Sequence, residues 1–197
     1  MVSTLGQLAN IRTGVVTGRK KADNSTPYAY NLLTLKCFGE DGTLLHDETD
    51  DFVAKEPLSD EYFTREGDVI VRLRAPIRAV YVGPTQEGLL VSSLFALIRV
   101  TTDRLLPRYL CDYINSATAQ RMLAENIKGT AITTIKNKDL ERLAVVLPPL
   151  DEQRKLVRFT TAARHEAQLL RQRLQAGRQL AHGVFETVLQ RYKEENR

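Results

Sequence analysis

The sequence predicts an α+β chain: a mixed, strand-rich globular domain over residues 1–149, followed by one long helix over residues 150–197. Three observations carry this. Up to about residue 105, apolar runs of four to seven residues are cut repeatedly by Gly, Pro, Asn and Asp, the pattern of short strands and loops. Pro148 and Pro149 then interrupt the chain. From Asp151 to about Tyr192 there is no proline, and Arg, Gln, Leu, Ala and Glu, all good helix formers, predominate.

Strands are expected at residues 7–11, 29–35, 68–73, 79–82 and 95–100, none long enough for an amphipathic helix. Pro107 suits the first turn of a helix over 108–115, which places Tyr109, Leu110, Tyr113 and Ile114 on one face. A second helix is expected over 118–126, a polar turn over 129–134, a helical turn over 137–143 and a last buried strand over 144–147. Asp151 and Glu152 then fall in the first turn of the long helix, where carboxylates complement the positive end of its dipole.

The long helix can be laid on a heptad. Leu156, Ala163, Leu170, Gly177 and Val184 take one core row, and Thr160, Ala167, Leu174, Ala181 and Val188 the other. At 1.5 Å per residue its roughly 40 residues span about 60 Å, more than the width of a 150-residue globule. The helix is therefore expected to project, and its apolar stripe to need a partner, most simply a second copy. The expected interface is Leu156, Ala163, Leu170, Leu174, Val184 and Val188. Gly177 and Gly183 each cost about 1 kcal/mol relative to Ala, which makes the stretch between them the place for a kink or break.

At 43% hydrophobic and 26% charged, the 197 residues have the composition of a folded chain. The first 25 residues hold no leader-like apolar run, and nothing approaches the roughly 18 to 20 apolar residues of a membrane span, so a cytoplasmic address is expected. Cys37 and Cys111 lack metal-site or disulfide spacing and read as buried thiols. Of the 28 Lys/Arg and 24 Asp/Glu, residues 151–197 carry 10 and 6, which leaves the front domain neutral at 18 of each. Its charges are nonetheless segregated. Arg12, Arg19, Lys20 and Lys21 form one group, Arg65, Arg72, Arg74 and Arg78 a second, and Lys128, Lys136, Lys138 and Arg142 a third, with an acidic stretch over 40–61. Both a nucleic-acid-facing surface and ordinary solvated charge fit this pattern.

Catalysis has no visible seat. Leu147-Pro148-Pro149-Leu150 lacks the polar and aromatic members of the Asn/Asp-Pro-Pro-Tyr/Phe motif by which adenine methyltransferases hold a base, and no Gly-rich cofactor loop occurs. Asp47, Glu48, Asp50 and Asp51 read as a solvated loop rather than a cation site. His165 and His182 are too far apart on one helix to share a metal, and His46 stands alone. The segment 14–18 lacks the Gly-Lys-Ser/Thr of a phosphate loop and is expected to be a turn or a backbone approach to nucleic acid. No catalytic residue, metal or cofactor is expected.

The most distinctive segment is Gly129-Thr130-Ala131-Ile132-Thr133-Thr134-Ile135-Lys136-Asn137-Lys138-Asp139-Leu140, followed by Leu143 and by Val146-Leu147-Pro148-Pro149-Leu150-Asp151-Glu152-Gln153. It closely resembles the end of a target recognition domain and the start of the spacer helix in DNA specificity subunits of type I restriction-modification systems. Residues 5–14, Gly67-Asp68-Val69-Ile70 and Leu106-Pro107-Arg108-Tyr109-Leu110 resemble further parts of that family, in the family's order. Residues 17–60 match none of its motifs, as variable target-setting sequence would not.

The resemblance implies one target recognition domain and one spacer helix where a full-length subunit has two of each, so the chain is either a natural half-length subunit that forms an antiparallel coiled coil with a partner copy or a fragment of a longer one. It implies sequence-specific binding of double-stranded DNA at one half-site of a bipartite target. The implied protein partners are methyltransferase (modification) subunits, with a restriction subunit as a further one, and the chain itself would catalyse nothing. Arg19, Lys20, Lys21, Arg72, Arg74, Lys128, Thr130, Lys136 and Lys138, basic or hydroxyl residues on predicted loops, are the expected DNA contacts. On physical grounds alone, a coiled-coil protein-interaction module that binds no DNA remains open, because a neutral front domain advertises no phosphate-binding face.

Overall fold

The structure is a computed structural model and describes residues 1–22, 28–39, 42–125 and 134–195. The chain divides into two units, Met1–Val157 and Arg158–Arg197.

In chain order the first unit holds β1 (Val2–Thr4), β2 (Ala9–Thr13), α1 (Thr17–Lys20), β3 (Ala29–Leu33), β4 (Asp50–Val53), β5 (Val69–Arg72), β6 (Ala79–Tyr81), β7 (Leu90–Val91), β8 (Phe95–Val100), α2 (Pro107–Asn115), α3 (Ala117–Glu125), α4 (Asn137–Glu141) and β9 (Ala144–Val146). It also holds the first turns of α5 (Leu150–Glu195). The expected strands and helices appear within a few residues of their expected bounds. β1, β4 and β7, only two to four residues each, were not anticipated, because periodicity needs more residues than they contain. Most of the turn expected over 129–134 lies outside the described residues.

A four-stranded antiparallel sheet in the order β2-β8-β5-β6 organises the unit. Side chains alternate across a strand, and here both faces are covered, so β5 and β8 are apolar at nearly every position. Val69, Val71, Ala96 and Ile98 face a core completed by Leu110 and Ile114 of α2, Leu123 of α3, Leu140 of α4 and Val145 of β9. Ile70, Phe95 and Leu97 face a second core with Leu33, Cys37, Leu44, Leu89 and Val91, where Phe38 stacks on Phe95 with ring centroids 5.0 Å apart. Both cysteines are buried thiols outside any disulfide. A smaller sheet, β4-β3-β7, pairs β3 antiparallel to β4 and parallel to β7, and β1 pairs antiparallel with β9.

Each recognisable motif has a structural reason. Gly67 adopts φ +87°, a conformation that favours glycine, and turns the chain into β5. The buried Asp68 carboxylate accepts from Arg99 Nε (2.9 Å) and Nη2 (3.2 Å) and from the Arg65 amide (2.8 Å), tying β5 to the turn before it and to β8. Gln153, fully buried, donates to the carbonyls of Arg104 (2.8 Å) and Pro148 (2.9 Å), while its Oε1 accepts from the Leu106 amide (2.9 Å). Two motifs about forty residues apart are thus one contact that fastens the head of α5. Tyr109 and Tyr113 donate their hydroxyls to the carbonyls of Val146 (2.8 Å) and Ala144 (2.7 Å), closing the same region. Burial, with a smaller contribution from Tyr113, pushes the Tyr109 hydroxyl above the ordinary phenol pKa.

Candidate nucleic-acid interface

Thr13 and Val71 both sit opposite Ala96, and Arg72 opposite Phe95. The last residues of β2 and β5 therefore share one end of the main sheet with the first residues of β8 and, through Val71 opposite Ala79, of β6. Three segments leave from this end: residues 14–21, the 73–78 loop and the 92–94 turn. The turn is gripped from both sides, since the Ser93 amide donates to the Val15 carbonyl (2.8 Å) and the Leu73 amide to the Leu94 carbonyl (3.0 Å). Gly14 is indispensable to this crossing. A Cβ there would lie 2.2 Å from the Val91 carbonyl oxygen and 2.4 Å from that of Ser92. Within the segment 14–18, expected as a turn or a backbone approach to nucleic acid, Gly14 and Val15 thus make a close backbone approach to the chain's own β7–β8 turn.

The structure brings one member of the second basic group, Arg74, beside one of the third, Lys136. Arg74 bridges Thr134, and the Ile135 amide donates to the Leu73 carbonyl (2.8 Å), so Arg74 and Lys136 emerge from paired segments, with Lys138 following in α4. Arg74, Lys136 and Lys138 are exposed. Arg72 differs from the expectation of a loop residue, being the last residue of β5 and only partly exposed. Its Nη2 donates to the Ala75 carbonyl (3.2 Å), and its Nε is buried without a partner among the described residues, so it holds the 73–78 loop from within.

Arg19, Lys20 and Lys21 follow the crossing and run against residues 53–56, where the Lys55 amide donates to the Lys20 carbonyl (2.9 Å). Arg19 and Lys21 are exposed, whereas Lys20 forms an ion pair with Glu56, and Lys21 bridges Ala54 beyond β4. Lys20 holds Glu56 below the usual carboxylate range through a hydrogen bond and charge attraction. Lys128 and Thr130 lie outside the described residues.

At the crossing the structure exposes Val16 (50%) and Leu94 (53%), which sequence reasoning did not single out. Nothing in a single apolar residue signals exposure. Only the crossing of residues 14–16 over the 92–94 turn puts these two near each other. Among the described residues no group of His, Cys, Asp or Glu side chains gathers as a metal site requires.

In the second unit, α5 is helical without interruption past Gly177 and Gly183, so the break expected there is absent. Leu156, Leu170, Leu174, Val184 and Val188 are exposed, as is Ala163. So are Phe159, Phe185 and Tyr192, which heptad counting left out. Phe159, Leu170, Ala181 and Tyr192 recur every eleven residues, as do Ala163, Leu174 and Phe185. On a helix of 100° per residue an eleven-residue step advances by about 20° and a seven-residue step falls back by about 20°, so both spacings keep these residues on one face. The apolar stripe on α5 thus reaches Phe185 and Tyr192 near its C-terminal end. No helix among the described residues is long and apolar enough to cross a membrane.

A two-faced sheet domain leading through Gln153 into a single long helix is the fold of type I restriction-modification specificity subunits. The crystal structure of the HsdS subunit from Thermoanaerobacter tengcongensis superposes with a TM-score of 0.64 at 19% identity, over 87% of this chain and 44% of that one. A structure described as the basis of complex assembly and conformational transition of the type I R-M system gives 0.60 at 20% identity, over 86% and 39%. The type I S subunit from M. genitalium gives 0.56 at 13%, over 89% and 42%. The chain therefore spans less than half the length of these structures. None of the curated proteins matches it. The family model described as the type I restriction modification DNA specificity domain matches residues 1–176, and the chain belongs to that family.

Proposed function

We propose that this chain reads one half-site of a bipartite DNA target, pairs with a second copy through α5 in an antiparallel coiled coil, and docks methyltransferase subunits in the cytoplasm without catalysing a step itself. The observation that carries this reading is the family match over residues 1–176, which takes in the folded unit and the first part of α5. A twofold pair presents identical modules, and its target is a bipartite palindrome.

On the folded unit, the basic groups at one end of the main sheet supply phosphate contacts that set the register on the duplex. Arg74, Lys136 and Lys138 make one set of these contacts and Arg19 and Lys21 another, with Lys20 joining them where phosphate displaces Glu56. Val16 and Leu94 between them offer the apolar surface that thymine methyl groups meet in a major groove. On α5, the paired residues are Leu156, Ala163, Leu170, Leu174, Val184 and Val188, extended by Phe159, Phe185 and Tyr192.

The test is light scattering of the purified chain at several concentrations, alongside selection of duplexes from a random pool. A dimer that dissociates in the Leu170→Glu, Leu174→Glu double variant, with recovery of a palindromic site, is the expected result. A persistent monomer, or a chain that enriches no duplex, overturns the reading.

A further inference from the structure

Arg164, Arg171 and Arg178 follow one another at seven-residue spacing, which on a helix of 100° per residue places them in one row drifting by about 20° per step. The row borders the apolar stripe of Ala163, Ala167, Leu170, Leu174 and Ala181 and extends about 21 Å along the axis. Arg171 and Arg178 are exposed and Arg164 partly so. Between Arg158 and His182 the sequence holds one acidic residue, Glu166, and it falls on the opposite border of the stripe, beside Arg173.

Coiled coils ordinarily select their partners by opposite charges in the rows that border the seam. This row does the reverse. Turning a second copy antiparallel sets each arginine row against its own twin, so pairing gathers six guanidinium groups along one side of the seam and gains nothing from them. A border so charged suits a ligand with closely repeated negative charge. Duplex DNA carries about one charge per 1.7 Å of axis, or about 12 over this length, and the planar guanidinium fork matches phosphate oxygens.

We infer that the Arg164, Arg171 and Arg178 row of α5 is a sequence-independent phosphate-binding ridge for duplex DNA, separate from the surface that reads the half-site. The inference rests on the pairing of two copies proposed above.

Its test compares the full-length wild-type chain with an Arg164→Gln, Arg171→Gln, Arg178→Gln triple variant and with the corresponding triple Lys variant. The probe is a fluorescent duplex of random sequence, titrated at several salt concentrations. The Gln variant is expected to bind at least tenfold more weakly at low salt. Its slope of log affinity against log salt should flatten by about 2.7 per chain, at about 0.9 for each phosphate contact. The Lys variant restores the slope. Light scattering should show the Gln dimer persisting to equal or lower concentration, because mutual repulsion is relieved.

An unchanged slope overturns the ridge, as does a dimer weakened by the Gln changes. So does a Gln variant that keeps its slope but loses co-purification with methyltransferase subunits, which assigns the row to an acidic protein surface. Preference for a selected duplex over the random one reports on the half-site surface alone. If it survives while the slope is unchanged, only the ridge fails, and if the wild type binds no duplex, both readings fall.

Discussion

The first 157 residues and the last 40 are built on opposite principles. In the folded unit the main sheet is covered on both faces, and its key polar groups are satisfied internally: Asp68 by Arg99, Gln153 by three backbone groups, Tyr109 and Tyr113 by the carbonyls of β9. From Arg158 onward, α5 has backbone hydrogen bonds of its own but no core, and its largest apolar side chains stand exposed. One region buries its apolar side chains within the chain, while the other, on the pairing proposed above, covers its stripe only against a second copy. A substitution should therefore act on stability in the first region and on association in the second.

The largest expected effect tests the first half of that contrast. Phe95→Ala empties a fully buried site stacked on Phe38 and should cost about 3–5 kcal/mol, read as a lower urea midpoint that does not depend on protein concentration. Leu174→Ala removes a comparable apolar group from α5, and its cost should grow with protein concentration as the dimer forms. Equal, concentration-independent losses for the two would break the comparison.

Gln153→Ala should cost about 1–3 kcal/mol by leaving the Leu106 amide and two carbonyls unpaired, with faster hydrogen exchange at Leu106 as its mark. Gly14→Ala should cost a similar 1–3 kcal/mol, because its Cβ meets backbone rather than a flexible side chain. Gly177→Ala, where a Cβ meets nothing, should instead stabilise α5 by up to about 1 kcal/mol.

The smallest effect is alkaline. Burial disfavours the tyrosinate of Tyr109, so its pKa in the folded chain exceeds the unfolded value near 10. The stability linked to this shift is complete below about pH 10 and is lost as pH rises through the higher folded value. Tyr109→Phe should flatten that alkaline limb of the stability curve, at the separate cost of the bond to Val146. A limb unchanged in the variant assigns it to other groups.

Much of this was legible in residue order. The change of composition at Pro148 and Pro149 marked the start of α5, and alternation of apolar residues marked β5 and β8, because helix propensity and strand periodicity are local properties. The family motifs were legible too, although their purpose was not. Gly67-Asp68 reads as ordinary turn chemistry until Arg99, thirty-one residues on, is found on the carboxylate. Gln153 gave no sign of its bond to Leu106.

Tertiary structure alone decided which charges share a surface. Lys20 pairs with Glu56 and Arg72 turns inward onto Ala75, while Arg74 and Lys136, sixty-two residues apart, emerge from paired segments. It alone exposed Val16 and Leu94 on neighbouring segments. The physical reason is range. Propensity, capping and apolar period act over a few residues and can be read in order, whereas burial, charge pairing and close backbone crossings depend on neighbours that only the folded chain supplies.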